Sequence, residues 1–321
     1  MIIGTLLLFV IAWKVRGVLI ALFISYILMS GFAPLVDWLM RKGLNKFLSV
    51  TVTYFISIGF FGTLLFVVIP PLVSQIKEFV INLPTYVDWL TVTFGDSYVP
   101  VITNDNIIQI FSSRLDSALS GLLSVALNAF SVFLLFIAVS VFTFYLLLER
   151  DKLKENVHVF FPSFPKEKVN TLAHKIEDKL GHWFRGELIL MLIIGVATYI
   201  GLSLLRVPYA LPLAVIAGLL EVVPNIGPTI SAIPALMIAF VQSPILAIGV
   251  LALYILIQQL ENNLIVPKLM EKAVGLSPIV IIFSLLVGGS IFGVVGAILS
   301  VPSAAIIHVI FEDYLIAASK K

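Results

Sequence analysis

The sequence predicts an all-α protein threaded several times through a membrane, and three observations predict it. Of its 321 residues, 60% are hydrophobic and 12% charged, with a mean hydropathy of +1.12; a soluble domain is about half apolar and about a quarter charged. Apolar runs recur along the chain, interrupted by two polar insertions. Lysine and arginine concentrate in alternate loops, the pattern of a chain with fixed orientation in a bilayer. The net charge of +2 is too small to imply a nucleic-acid partner. The absence of cysteine excludes disulfides and thiolate metal sites.

About eight membrane segments follow in order: Ile2–Trp13, Val18–Leu39, Leu48–Ile69, Leu119–Leu148, Leu188–Leu205, Leu211–Phe240, Ile245–Val266 and Ser277–Phe311. The first is short against the ~20 residues of a full span. It lacks a basic leader and a small-residue cleavage site, so it reads as a trimmed or partly spanning helix, not a removable signal. Arg41, Lys42 and Lys46 place the loop after the second segment inside. The insertion Pro70–Ser117 is acidic and faces outward, whereas Glu149–Gly186 carries eight Lys and Arg and faces the cytoplasm. Lys14 and Arg16 violate this order without outweighing it. The expected organisation is therefore membrane helices over 1–69, an extracytoplasmic amphipathic insertion over 70–118, a membrane helix over 119–148, a cytoplasmic amphipathic insertion over 149–186 and a transport core over 187–321. In the outer insertion Ile76, Phe79, Val80 and Leu83 recur at helical spacing. In the inner one Val169, Leu172, Ile176, Leu180 and Trp183 form a stripe, read as a packing face on the protein's own core ahead of a partner-binding helix. Asp37 and Arg41 stand at i,i+4 and read as a local ion pair.

Two segments break the apolar grammar. Leu211–Phe240 would be about 45 Å long as one helix, and Pro224, Gly227, Pro228 and Pro234 interrupt it. Residues 277–311 meet Gly288, Gly289, Gly293 and Gly296, then Pro302. ISAIPALMIA and AILSVPSAAI are alike, which marks a weak internal repeat. Each segment is either a kinked crossing or a re-entrant hairpin. The hairpin reading puts Lys268 and Lys272 inside, as the loop-charge rule prefers, and yields an inverted repeat with broken helices, a transporter design.

Intramembrane ionisable groups are costly and mark function by default. Glu221 precedes the first break, and Glu261 sits with Gln258, Gln259, Asn262 and Asn263 ahead of Pro267. A cluster so polar lines a cavity or bonds to a neighbouring helix. Broken helices free backbone carbonyls that, with Asn225 and the amides, bind a cation or polar solute. Buried carboxyls exchange protons nearer neutral pH, so Glu221 or Glu261 is a candidate for proton coupling. The other reading is that these groups cap freed backbone. Arg185 and Glu187 read as interfacial anchors, and His308 as a packing residue. No histidine spacing forms a metal site, and no Walker A loop, dinucleotide fingerprint or nucleophile elbow is present. No cofactor and no enzymatic activity are expected.

FRGELI (Phe184–Ile189), EVVPNIGP (Glu221–Pro228), IQQLENNLIVPKLM (Ile257–Met270) and VGGSIFGVVGAILSVP (Val287–Pro302) together resemble the AI-2E family of membrane transporters, which includes the PerM-like proteins. The resemblance is dense over about residues 183–311. It implies a multi-pass bacterial-type inner-membrane transporter that forms a homo-oligomer; the loop charges with Lys320 and Lys321 put the C-terminus in the cytoplasm, and with no nucleotide motif present ATP use is not expected. Its partners would be the lipid bilayer and either a small solute or a monovalent cation and proton. Export of an autoinducer-2-like solute by alternating access is the first expectation. Sodium–proton antiport and a non-transporting scaffold are the alternatives. Glu221, Pro224, Gly227, Pro228, Gln258, Glu261, Asn262 and Pro267 occupy family motif positions, while Asn225 departs from a position where the family more often carries an aromatic residue.

Overall fold

The computed structural model describes residues 14–60, 62, 63, 66, 70, 74, 129–162, 164–224, 226–270 and 275–319. The expected segment Ile2–Trp13 and most of the outer insertion lie outside the described residues, as does Asn225. Among the described residues the secondary structure is helical. The helices are α1 (Arg16–Arg41), α2 (Lys46–Phe60), α3 (Ala129–Asn156), α4 (Lys166–Leu204), α5 (Ala210–Leu220), α6 (Ile226–Gln242), α7 (Pro244–Leu260), α8 (Val266–Met270) and α9 (Pro278–Ser319). A 3-10 turn, Val157–Phe160, follows α3, and a π turn, Glu261–Ile265, joins α7 to α8.

The long helix α4 is the mast of the molecule. Its 39 residues extend about 58 Å, roughly twice the hydrocarbon thickness. The half carrying the lysines therefore stands clear of the bilayer. The stripe expected as a packing face is one: Leu180 and Trp183 are buried against Ile27 of α1 and against Val301 and Ala305 of α9. Close approach comes from missing side chains. Gly31 of α1 lies against the Phe184 ring, and a Cβ on Gly181 would sit 2.5 Å from the Ser30 carbonyl.

Charges gather at the lysine-rich end. Arg150 of α3 donates from Nε to Glu177 of α4 at 2.6 Å and from Nη1 to both oxygens of Asp37, at 2.9 and 3.1 Å. Lys154 lies 3.1 Å from the second Glu177 oxygen. Three helices are thus cross-linked around a carboxylate that is only 4% exposed. The expected Asp37–Arg41 pair is replaced. Arg150 takes the Asp37 carboxylate, and Arg41 donates to the Asp37 main-chain carbonyl instead, at 3.3 Å. A bidentate contact in a partly desolvated setting wins over an exposed i,i+4 pair.

The packing of α4 settles how the chain travels through residues 205–270. Gly201 approaches Leu253, and Gly249 approaches Leu205, so α7 runs antiparallel to α4. Between them, α5 descends along α4, where a Cβ on Gly218 would sit 2.7 Å from the Met191 carbonyl. Helix α6 then climbs back along α5: Leu213 shares a core with Ala235 and Ala239, and Gly227 packs on the Leu220 carbonyl at the tip. Thus α5 and α6 form a hairpin whose open end is the lysine-poor end of α4. A single kinked crossing would have made α7 parallel to α4.

The last segment also reverses. Its length suits one crossing, but Phe292 and Gly293 leave the helical region, Gly293 at φ 61° and ψ −142°. Gly288 and Gly296 pack backbone on backbone across the turn; in a straight helix they would be about 12 Å apart. The base of this hairpin lies at the lysine-rich end, where Asp313 meets Lys175 at 3.1 Å and Lys168 at 3.7 Å. The two hairpins therefore enter from opposite ends of α4, as the repeat of sequence grammar anticipates.

Single cysteines in this cysteine-free chain test that path. Lys175→Cys and Lys268→Cys should react with an impermeant thiol reagent from one face of the membrane and Gln242→Cys from the other. Labelling of Lys268→Cys from the Gln242 side would refute the α5–α6 hairpin. The α9 reversal is tested by stability. Gly296→Val should lose about 1–3 kcal/mol by forcing its side chain into the Gly288 carbonyl, whereas Gly289→Ala, with its nearest neighbour 4.0 Å away, should melt like wild type.

Candidate functional site

Glu221 closes the last turn of α5, its N–H donating to the Ala217 carbonyl at 3.1 Å. Beyond it, Pro224 and Pro228 prevent a continuous helix, and the backbone satisfies itself in short turns. Val223 N–H donates to Leu220 at 3.1 Å, Ile226 to Pro224 at 2.8 Å and Gly227 to Val223 at 2.9 Å. The freed backbone at this tip is thus already paired locally, and the Glu221 carboxyl is not its cap. The side chain is 0% exposed, and neither oxygen has a hydrogen-bond donor.

Glu261 reaches the same place from α7 through the π turn. Pro267 has no N–H to return to the Asn263 carbonyl, and its ring crowds that turn. The helix responds by widening: Val266 N–H donates to Glu261, five residues back. The widening turns Glu261 inward, where it is 1% exposed, and leaves Asn262 and Asn263 on the outer surface. The buried Glu221 and Glu261 carboxyls lie near enough to interact electrostatically. One Glu261 oxygen has no donor. A carboxyl donates to another only while it carries a proton. Two buried carboxyls this near repel when both are ionised, and a proton or a positive ion between them would relieve that repulsion.

A third carboxyl joins them. Glu187 of α4 is 3% exposed, one of its oxygens has no donor, and it lies within electrostatic reach of both Glu261 and Glu221. The expectation of an interfacial anchor fails here, because the side chain points into the protein. The signal was in the sequence: Leu180, Trp183, Glu187, Leu190 and Ile194 lie on one helical face, and all five are buried. Among the described residues no three His, Asp or Glu side chains are arranged to hold a metal ion.

The remaining sequence candidates are placed apart from the pair. Gln259 and Asn263 bond to each other at 2.9 Å on the outer surface of the helix, and Gln258 Nε2 is 3.5 Å from Asn262. Pro224, Gly227, Pro228 and Pro267 shape the two turns that bring the acids together, while Gly288, Gly289, Gly293 and Gly296 build the other hairpin. His308 is exposed, 4.0 Å from Glu312. A groove of about 960 Å³ lies between the start of α1 and the arms of α9, lined chiefly by Leu, Ile, Val and Phe. Its three serines, Ser284, Ser300 and Ser303, donate to carbonyls of their own helix, and none of the three buried glutamates lines it.

A profile of the AI-2E family transporter group matches residues 2–316. The chain is 29% identical over 313 residues to "Putative transport protein YrrI" of Bacillus subtilis (strain 168), covering 92% of this chain and 85% of that relative. It is 27% identical over 309 residues to the similarly named YhhT of Escherichia coli (strain K12), covering 92% and 83%. Against the similarly named sll0063 of Synechocystis sp. (strain ATCC 27184 / PCC 6803 / Kazusa) the identity is 28% over 316 residues, covering 92% and 78%.

A carboxyl buried without a donor costs stability. Glu221→Met, which fills similar space without the charge, should melt no lower than wild type and gain about 1–2 kcal/mol. Thermal unfolding of the detergent-solubilised protein checks this; a lower melting temperature would assign the carboxyl a structural role.

Proposed function

This chain belongs to the AI-2E transporter family, and we propose that it is a secondary transporter whose coupling site is the Glu221–Glu261 pair, exchanging a monovalent cation for a proton. The observation that carries this reading is a pair of fully buried, interacting carboxyls with too few donors for their oxygens and, among the described residues, no lysine or arginine contributing to their electrostatics. Such a pair needs positive charge to stay buried, and sodium and protons are interchangeable suppliers of it. Competition between them for one site is the elementary step of exchange. When the cation leaves, a proton takes its place, and the hairpin tip is the element whose movement would open the site to the other face.

Export of a small polar solute finds less support. The outward amides do not converge on the pair, and the large groove offers mostly apolar walls. In the same reading the lysine-rich end faces the cytoplasm, which puts the C-terminus there, in an inner membrane of bacterial type.

Proteoliposomes containing an internal pH dye test the proposal. A sodium gradient should drive a pH change with wild type, and Glu261→Gln should reduce its rate by about 100-fold or more. A silent wild type would remove cation–proton exchange. A full response from Glu261→Gln would move the coupling site elsewhere.

A further inference from the structure

We infer that Glu187 is a transfer station through which the proton or cation passes between the lysine-rich face of the membrane and the Glu221–Glu261 pair. The inference rests on the coupling reading above and extends it to a residue on a different helix. Three observations carry it. Glu187 is 3% exposed and one of its oxygens has no donor, so that oxygen is buried without a structural hydrogen bond. It interacts electrostatically with both members of the pair, so the three acids form one connected set. It also lies toward the lysine-rich end. The antiparallel matching of Gly201 with Leu253 and Gly249 with Leu205 puts Glu261 level with residue 193 or so of α4. Glu187 is then about 9 Å further along the axis, and Arg185, whose Nη1 reaches the Ser30 and Gly31 carbonyls at 3.4 Å, lies beyond it.

The chemistry required of such a station is modest. A carboxyl takes up a proton or sodium ion on one oxygen and gives it up towards the pair through bridging water, with no bond other than O–H or ion contact made or broken. A single buried acid would carry nothing by itself. Its place between the pair and one membrane face, with an oxygen left open, is what assigns it to the path.

The test uses the full-length protein in proteoliposomes of known orientation. Wild type, Glu187→Gln, Glu187→Asp and Glu261→Gln are compared for sodium-driven pH change. Mass spectrometry follows sodium protection of Glu221 and Glu261 against dicyclohexylcarbodiimide. The expected result for Glu187→Gln is a maximal rate reduced by about tenfold or more. Sodium protection of the pair should persist at concentrations near those of wild type, and Glu187→Asp should recover part of the rate. A wild-type rate in Glu187→Gln would overturn the inference and leave the coupling reading standing. Loss of sodium protection together with rate would also overturn it, by making Glu187 part of the binding site itself. A silent wild type would bring down the coupling reading and the inference with it. Should Glu187→Gln fail to fold, wild type alone decides. A water-soluble carbodiimide added from the lysine-rich side should modify Glu187 in step with loss of flux. Modification without loss, or none while flux is lost, would overturn the proposal.

Discussion

A chain that turns back inside a bilayer has to pair its freed backbone groups within the protein, since hydrocarbon offers no partner. The α5–α6 reversal in this molecule meets that constraint within its own turn, and much of the surrounding packing follows from it. At the α5–α6 tip the turn carbonyls accept from nearby N–H groups of the same turn, and Gly227 lets the two backbones touch. At the α9 turn, Gly288 and Gly296 bring the arms together with no side chain between them. Helix α4 supplies the wall for the first turn through Gly195 against Gly218, and its lysine-rich half anchors the base of the second through Lys168 and Lys175. Small residues in membrane helices serve this close approach, where no hydrophobic driving force separates protein from lipid.

The carboxyl pair depends on the same economy. Because the tip satisfies its own backbone, the Glu221 side chain is left over, free to interact with something that is not protein backbone. Because Pro267 widens the helix opposite, Glu261 is rotated into contact with it. Two local defects, one in each element, converge on one spot. Neither alone would bury an acid against an acid. At the other end of the molecule, acids are matched by bases: Glu177 holds Arg150 and Lys154 at 2.6 and 3.1 Å. That contrast separates an acid that ties helices together from acids left open at the centre.

Much of this was legible in the sequence, for physical reasons that can be stated. Proline and glycine act on the backbone directly, so the breaks at Pro224–Pro228 and Gly288–Gly296 could be located without any partner being known. Loop charge favoured hairpins over crossings, and the antiparallel run of α4 and α7 agrees with it. Glu221 and Glu261 stood out because an apolar context makes an acid expensive. What local sequence did not reveal was direction around the helix axis. Asn262 and Asn263 looked as though they belonged to the cavity, because a regular helix gives no warning that a widened turn will swing them outward. Glu187 was discounted because it follows Arg185 at the head of an apolar run, although its spacing from Leu180 and Trp183 places it on the buried face. The Asp37 pairing depended on α3, more than a hundred residues away.

The widened turn at Glu261–Ile265 has a consequence for how this stretch is compared between relatives. A π turn accommodates one residue more than the α turn it replaces. Removing a single residue there would let the turn close as an ordinary α turn, with the helices on either side keeping their facing while the residues inside the window, Glu261 among them, shift around the axis. In an alignment, a one-residue gap in this window is therefore more than a harmless length difference. Relatives that carry it would keep the acid in their text and lose its orientation, so the gap separates chains that share a sequence motif from chains that share an inward carboxyl.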